Sequence, residues 1–170
     1  NQEIREVYKL QIQEWFKKKV FADTEQLQSF WQAFAMGDSE AVELFLNRTL
    51  SNSISVFDVK GRDEERENSY HMLLVGLLAG KADWLVRSNV EAGEGFADII
   101  VETDDLDAGV IVELKYAQTM TAMEKSCAKA LAQIRAKRYA EYLHNNGREK
   151  VLLYGIAFCK KRCRVVAEKL

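Results

Sequence analysis

Three charged residues that could act together lie in two neighbouring segments whose apolar residues alternate as in β-strands. Asp98 lies in the first segment, and Glu113 and Lys115 lie in the second. If the hairpin that joins these segments turns between residues 105 and 106, Asp98 lies directly opposite Glu113, with Cβ atoms about 4.5–5.5 Å apart. A side-chain period of two places Lys115 on the same face as Glu113. The sequence therefore predicts two opposed carboxylates with an ammonium group beside them.

Two opposed carboxylates repel each other, and burying them without a positive partner is costly. Mg²⁺ or Mn²⁺ would fit between Asp98 and Glu113, because hard cations bind carboxylate and carbonyl oxygens together with water. The carbonyl of Leu114 would be a third protein ligand, and Lys115 would hold or help deprotonate a water aimed at phosphorus. This would be a metal-assisted hydrolytic site for a phosphodiester. The same spacing also suits a structural ion-pair triad at a strand end, and the residues alone leave both interpretations open.

Glu67 and His71 lie one helical turn apart in an apolar segment, in a stripe that should face the sheet. Glu67 could supply another carboxylate to the metal, or it could cap the first turn of the helix. His71 is more simply explained as a partly buried imidazole with a hydrogen-bond partner. This segment therefore adds one carboxylate to the candidate site.

Gln133 lies between Lys129 and Lys137 at intervals of four residues, so the three share one face of a predicted helix. That face could contact phosphates or orient Lys115, and a solvated helix surface is the alternative. A second basic cluster, residues 160–164, is either a phosphate-binding patch or ordinary protection of a sheet edge.

The elements that must position these residues follow from periodicity, caps and turns. Residues 1–60 have helical periodicity, with Thr24 and Asp38 as N-caps, and are predicted to form a helical lead-in or connector. Residues 61–170 are predicted to form one α/β unit in the order α-β-β-β-α-β-β, a mixed sheet with helices packed on it. Its predicted helices span 64–80 and 121–144, and its predicted strands span 84–90, 96–102, 109–116, 151–158 and 162–167. The capping-box pattern Thr121-x-x-Glu124 predicts the start of the second helix.

The composition excludes several classes of protein. The chain has 170 residues, 48% hydrophobic and 29% charged, so it suits one domain and is too hydrophobic to be disordered. Its apolar runs, such as Met72–Ala79, are far shorter than the roughly 20 residues that span a bilayer. Three cysteines without a CxxC pair and only two histidines argue against disulfides and structural zinc, which favours a cytoplasmic location. The net charge of −2 excludes nucleic-acid binding through bulk charge, so any such contact must be local.

Several motifs in combination resemble those of the PD-(D/E)XK nuclease superfamily. In chain order they are Glu67-x-x-Tyr70-His71, Gly93-x-Gly95-x-x-Asp98-Ile99, Val112-Glu113-Leu114-Lys115, a helix with Gln133-Ile134 and Tyr139, and Tyr154-Gly155-Ile156-Ala157-Phe158. The chain is similar in particular to the nuclease-like domain that follows an AAA-type ATPase-like domain in bacterial proteins. Two features depart from the pattern. Ala97 replaces the proline that usually precedes the catalytic Asp, and Gln133 and Tyr139 are farther apart than in the Gln-x-x-x-Tyr motif of related nucleases.

The resemblance implies a restriction-endonuclease-like α-β-β-β-α-β core with an N-terminal helical extension. It also implies that the chain is the C-terminal domain of a larger ATPase-linked protein, in which residues 1–60 would be the connector. The catalytic residues that it implies are Asp98, Glu113 and the Leu114 carbonyl as ligands of Mg²⁺ or Mn²⁺, Lys115 near the attacking water, Glu67 on the first core helix, and Gln133.

Two functions are compatible with these features. The first is a metal-dependent nuclease that cuts DNA, which is favoured because Asp98, Glu113 and Lys115 are all present. The second is a catalytically silent module of the same fold that binds nucleic acid or docks on a partner ATPase. The acidic net charge and the sparse basic surface favour the second function.

Overall fold

The computed structural model of the chain describes residues 2–15, 18, 23–52 and 63–170. Within these residues, helices α1 to α6 span Gln2–Trp15, Thr24–Met36, Ser39–Asn52, Asp63–Ala79, Met123–Ala136 and Ala140–Asn145. Strands β1 to β5 span Leu85–Ala92, Gly95–Glu102, Ala108–Tyr116, Lys150–Cys159 and Arg162–Lys169. A short 3₁₀ turn, Met120–Ala122, precedes α5.

The five strands form one sheet in the order β1-β2-β3-β4-β5. Strands β3 and β4 are parallel, whereas the other neighbouring strands are antiparallel. A parallel pair needs a crossover connection, and here α5 and α6 provide it. The mixed sheet with helices packed on it confirms the predicted α/β fold.

The register of the β2–β3 hairpin is the one predicted from the sequence, with Ile99 opposite Val112 and Ile100 opposite Ile111. Alternation divides these residues between two buried clusters. Ile99 and Val112 belong to a core that also contains residues of α2, α3 and α4, which we call the α4-side core. Ile100 and Ile111 belong to a smaller core with residues of α5 and Leu143 of α6, which we call the α5-side core.

Helices α2 and α3 pack on the same face of the sheet as α4. The hydroxyl of Tyr154 on β4 donates to the carbonyl of Phe34 on α2 at 2.7 Å, and the two rings stack. On α3, the side chain of Asn47 exchanges hydrogen bonds with the backbone of Cys163. The proposed division of the chain at residue 60 stays a prediction, because the junction, residues 53–62, lies outside the described residues.

One of the two predicted N-caps is correct. Asp38 accepts a hydrogen bond from the backbone N–H of Ala41 and caps α3. At α2, Asp23 rather than Thr24 accepts from the N–H of Gln26. Thr24 is already the first helical residue, so the capping position falls one residue earlier.

The prediction of one helix over residues 121–144 is wrong at its start. Thr119, rather than Thr121, accepts the hydrogen bond from the N–H of Ala122 and opens the 3₁₀ turn. Helix α5 then begins at Met123 without a side-chain cap. The capping-box residues therefore do not act as a box, because the chain enters the helix through a tighter turn.

The same prediction is also wrong in the middle, where the predicted helix is broken between α5 and α6. Arg138 has a φ of 55°, the left-handed conformation that commonly ends a helix. The turn between β1 and β2 docks against this break, and the N–H of Glu94 donates to the carbonyl of Lys137 at 2.8 Å. A Cβ added to Gly93 would lie 2.1 Å from that carbonyl, so the contact needs a glycine. A long-range contact thus accompanies the helix end.

Candidate active site

Asp98 and Glu113 lie across β2 and β3 just beyond the last regular pair of the ladder. The N–H of Leu114 donates to Oδ2 of Asp98 at 2.8 Å, and the N–H of Asp98 donates to Oε2 of Glu113 at 3.4 Å. Each carboxylate therefore bonds to the backbone of the opposite strand, in place of a backbone-to-backbone bond. This reciprocal arrangement keeps the two acidic groups close together at the end of the hairpin.

Gln133 on α5 joins Glu113 to Lys115. Its Nε2 donates to Oε1 of Glu113 at 2.6 Å, and its Oε1 accepts from Nζ of Lys115 at 2.7 Å. The ammonium group of Lys115 lies 3.9 Å from Oε1 of Glu113. Lys115 is thus held by an amide bridge and by its charge attraction to Glu113.

Tyr139 completes the bridge, because its hydroxyl oxygen accepts from Nε2 of Gln133 at 3.2 Å. In a continuous helix, residues six apart would lie on different faces, since each residue turns the chain by about 100°. The break after α5 removes that constraint and places buried Tyr139 beside Gln133. The spacing that departs from the Gln-x-x-x-Tyr motif thus still brings the two side chains into contact.

The electrostatics of the site are dominated by a buried carboxyl group that resists ionisation. Glu113 is only 3% exposed, and burial together with the Asp98 carboxylate raises its pKa from 4.5 to about 8. Lys115 opposes this shift, and Glu67 adds to it. A carboxyl with this environment binds either a proton or a cation near neutral pH.

Glu67 lies on α4, half-buried near the end of β3. Burial raises its pKa, and the Asp98 carboxylate raises it further, while Lys115 and a hydrogen bond from the Tyr116 backbone lower it. Its helix is tied to β3 by Arg66, which donates from Nη1 to the hydroxyl of Tyr116 at 3.0 Å. Glu67 is therefore within electrostatic reach of the carboxylate pair, on the opposite side from Gln133.

His71 has the hydrogen-bond partner that was expected for it. Its Nε2 lies 2.5 Å from Oγ of Ser88 on β1. Burial lowers the pKa of His71, while Asp98 opposes the shift. The imidazole is therefore partly buried and bonded to a hydroxyl, as predicted.

The structure brings Asp98, Glu113, Lys115 and Gln133 into one connected network, and it places Glu67 beside that network. Within the described residues, no group of three or more His, Cys, Asp or Glu side chains is arranged to hold a metal ion. The carboxylates of Asp98 and Glu113 are nevertheless hard oxygen donors of the kind that suits Mg²⁺ or Mn²⁺.

The remaining observations concern features away from the network. The cysteine pattern argues against disulfides, and all three cysteines are indeed buried and free. None of the described helices is both long enough and apolar enough to cross a bilayer.

A comparison with protein-family models matches residues 65–168 to the PD-(D/E)XK nuclease superfamily. This span is more than half of the 170-residue chain and includes β1 to β4, nearly all of β5, most of α4, and α5 and α6. The observed mixed sheet is consistent with the restriction-endonuclease-like fold of that superfamily, whose nucleases typically use divalent metals. No curated protein matches the chain significantly.

Proposed function

Because the chain belongs to the PD-(D/E)XK nuclease superfamily, we propose that it hydrolyses phosphodiester bonds in DNA with Mg²⁺ or Mn²⁺ as cofactor. The observation that carries this proposal is the almost fully buried Glu113 carboxylate, held beside Asp98 and joined through Gln133 to Lys115. A purely structural ion pair would not need a second carboxylate that raises the pKa of the first.

Each residue of the network has a distinct role in this proposal. Asp98, Glu113 and the carbonyl of Leu114 would hold the cation, which would polarise the phosphate and lower the pKa of a bound water. Lys115 donates hydrogen bonds to the attacking water and to the charge that develops on the phosphate. Gln133 holds the Lys115 ammonium in place, because its Oε1 accepts from Nζ at 2.7 Å.

Glu67 fits the role of a proton acceptor at the edge of the site. Burial and the Asp98 carboxylate raise its pKa, which therefore lies closer to neutral pH than the pKa of a solvated glutamate. It lies on α4, whereas Gln133 lies on α5, so the carboxylate pair is flanked from both faces of the sheet. The role of Glu67 is therefore proton transfer to or from water in the site.

The DNA backbone is proposed to contact the exposed face of α5. Lys129 lies one helical turn before Gln133, and Lys125 lies one turn earlier, both exposed. Neither lysine has an Asp or Glu three or four residues away along the helix. Lysines repelling each other at this spacing destabilise a helix by a few tenths of a kcal/mol, and a phosphate backbone would offset that repulsion. This local surface suits a chain whose net charge is −2.

The test is cleavage of single-stranded, duplex and branched DNA in the presence of Mn²⁺ or Mg²⁺. We expect cleavage by the parent and its loss in Asp98→Asn, Glu113→Gln and Lys115→Ala. Asp83→Asn is the matched control, because Asp83 is 52% exposed and bonded to Lys81 on the surface. Absence of metal-dependent cleavage in the parent, with Asp98→Asn indistinguishable from it, would contradict the proposal.

A catalytically silent module that binds nucleic acid or docks on an ATPase is the second candidate. The specific observation in its favour is that no metal-holding cluster of three side chains occurs among the described residues. Calorimetric titration of Mn²⁺ into the parent and Asp98→Ala separates the two candidates. Binding in the parent that is lost in the variant supports the enzyme, whereas DNA binding without metal binding or cleavage supports the silent module.

A further inference from the structure

The residue that lies opposite Asp98 on the edge strand β1 has an unusual backbone. It is Asn89, which the register places between the ladder pairs Ser88–Ile99 and Val90–Ala97. The Asn89–Asp98 pair itself is missing from the ladder, although the register on both sides of it is the same. Asn89 has a φ of 52°, in the left-handed region that strand residues normally avoid. Asparagine is among the few residues other than glycine that adopt this conformation readily.

Both strands change face at this position. Residues two or four apart on a regular strand share a face. On β2, however, Ala97 packs in the α5-side core, whereas Ile99 packs in the α4-side core. On β1, Val86 packs against the α4-side core and Val90 against the α5-side core. The hairpin therefore rotates at the Asn89–Asp98 position. Residues an even number of positions apart would share a face on a regular strand, but here they lie on opposite faces of the sheet when this position falls between them.

This rotation sets the direction of the Asp98 carboxylate. Instead of continuing the alternation of β2, the side chain reaches along the sheet to β3, where Oδ2 accepts from the N–H of Leu114 at 2.8 Å. The backbone N–H of Asp98 turns toward Oε2 of Glu113. Asn89 is exposed on an edge strand, so core packing does not explain its conformation. Residues in uncommon backbone conformations cluster at functional sites.

We propose that Asn89 is a positioning residue whose left-handed backbone directs Asp98 toward β3 and Glu113. The inference rests on the proposed function, because it assigns Asn89 to the geometry of the proposed metal-binding pair. The property that matters is the backbone angle, so glycine should replace asparagine and a β-branched residue should not. Valine favours extended backbone and carries a high cost at positive φ.

The experiment compares Asn89→Val, Asn89→Gly and Arg87→Val. Arg87 is exposed on the same strand and pairs regularly with Ile100, so Arg87→Val controls for a new valine on the edge. The first readout needs no metal: it is hydrogen exchange of the Leu114 amide, which bonds to Asp98. We expect exchange about threefold to tenfold faster in Asn89→Val, as for the loss of one hydrogen bond. The second readout is calorimetric Mn²⁺ affinity, expected to fall about 10–100-fold in Asn89→Val.

Asn89→Gly and Arg87→Val should match the parent in both readouts. The inference is overturned if Asn89→Val retains parent-like Leu114 exchange and Mn²⁺ affinity. It is also overturned if Asn89→Gly loses both the protection of the Leu114 amide and the Mn²⁺ affinity, since the side chain rather than the backbone of Asn89 would then matter. Loss of both properties in Arg87→Val would overturn it as well. Another outcome is a parent that binds no Mn²⁺ while the Leu114 amide still exchanges faster in Asn89→Val than in Asn89→Gly. In that case the proposed metal function fails and the positioning role of Asn89 stands.

Discussion

Replacement of Glu113 by glutamine should make the metal-free protein more stable at pH 8 and should leave it nearly unchanged at pH 4.5. Glu113 is 3% exposed, and burial and the Asp98 carboxylate raise its pKa from 4.5 to about 8. The folded protein therefore keeps a proton that the unfolded chain releases as the pH rises above 4.5. Stability falls with pH wherever the native state binds more protons than the unfolded state.

The size of this effect follows from the two pKa values. At about 1.36 kcal/mol for each tenfold difference in proton affinity, the parent should lose up to about 4 kcal/mol between pH 4.5 and pH 8. At pH 8 about half of the folded molecules still hold the proton, so the fall in stability continues for about one further pH unit before the group is ionised in both states. Glutamine keeps the shape of the protonated acid, so the variant should lack this fall and should be more stable than the parent at pH 8.

The assay is urea unfolding with a chelator present, at pH values from 4.5 to 8.5. Glu102→Gln is the matched control, because Glu102 is also buried but is paired with Arg148 at 3.2 Å. Removal of its charge weakens its bond to the partly buried Arg148, which still donates to three backbone carbonyls, and should destabilise the protein by about 1–3 kcal/mol at neutral pH. The same substitution should thus stabilise the metal-free protein at Glu113 and destabilise it at Glu102.

Two results would refute this reasoning. One is a parent whose stability does not fall between pH 5 and pH 8 without metal. The other is a Glu113→Gln variant that shows the same fall as the parent, since the burial of another group would then be responsible. Mn²⁺ at about 100 times its Kd should raise the stability of the parent by about 2.7 kcal/mol, and Glu113→Gln should blunt that rise.

Three further predictions concern the DNA surface and the packing. Lys129→Gln should reduce the salt dependence of DNA binding, by about 0.9 in the slope of log K against log salt for duplex or about 0.7 for a single strand. Lys150→Gln, at a residue 69% exposed at the start of β4, should leave that slope unchanged, and equal slopes for both variants would exclude the proposed surface. Gly93→Ala should lower the free energy of unfolding by at least about 1–3 kcal/mol, because the added Cβ would lie 2.1 Å from the Lys137 carbonyl oxygen. A parent-like melting temperature would argue against tight docking of the hairpin turn. Tyr154→Phe should cost about 0.5–1.5 kcal/mol in urea unfolding, because it removes the hydroxyl donor to the carbonyl of Phe34, which keeps only its bond from the N–H of Gly37. No loss of stability would show that this bond between α2 and the sheet is dispensable.

The β2–β3 hairpin could be predicted from the sequence down to its register. Alternating apolar residues on two adjacent segments allow few pairings that bury both faces, and a slip by one residue would turn every side chain to the wrong face. The pair Ile100–Ile111 is therefore determined locally, and the position of Asp98 near Glu113 follows from it. That Lys115 lies beside Glu113 could be predicted from the two-residue side-chain period of a β-strand alone.

The connection between Gln133 and Tyr139 could not be predicted in this way. Helical periodicity continues through residue 138, and no glycine or proline marks an end there. The break coincides with the docking of Gly93 and Glu94, which lie more than forty residues earlier in the chain. A local pattern contains no information about such a contact.

The sequence by itself determined the order of strands and helices, the hairpin register and the residue types of the site, because these depend on neighbours within a few positions. Tertiary structure alone decided where the predicted long helix breaks and how Asn89 bends the edge strand beside Asp98. It also decided how Gln133 reaches Glu113 and Lys115 at once. These features depend on contacts between segments far apart in the chain, whose geometry is set only when the sheet and the helices pack together.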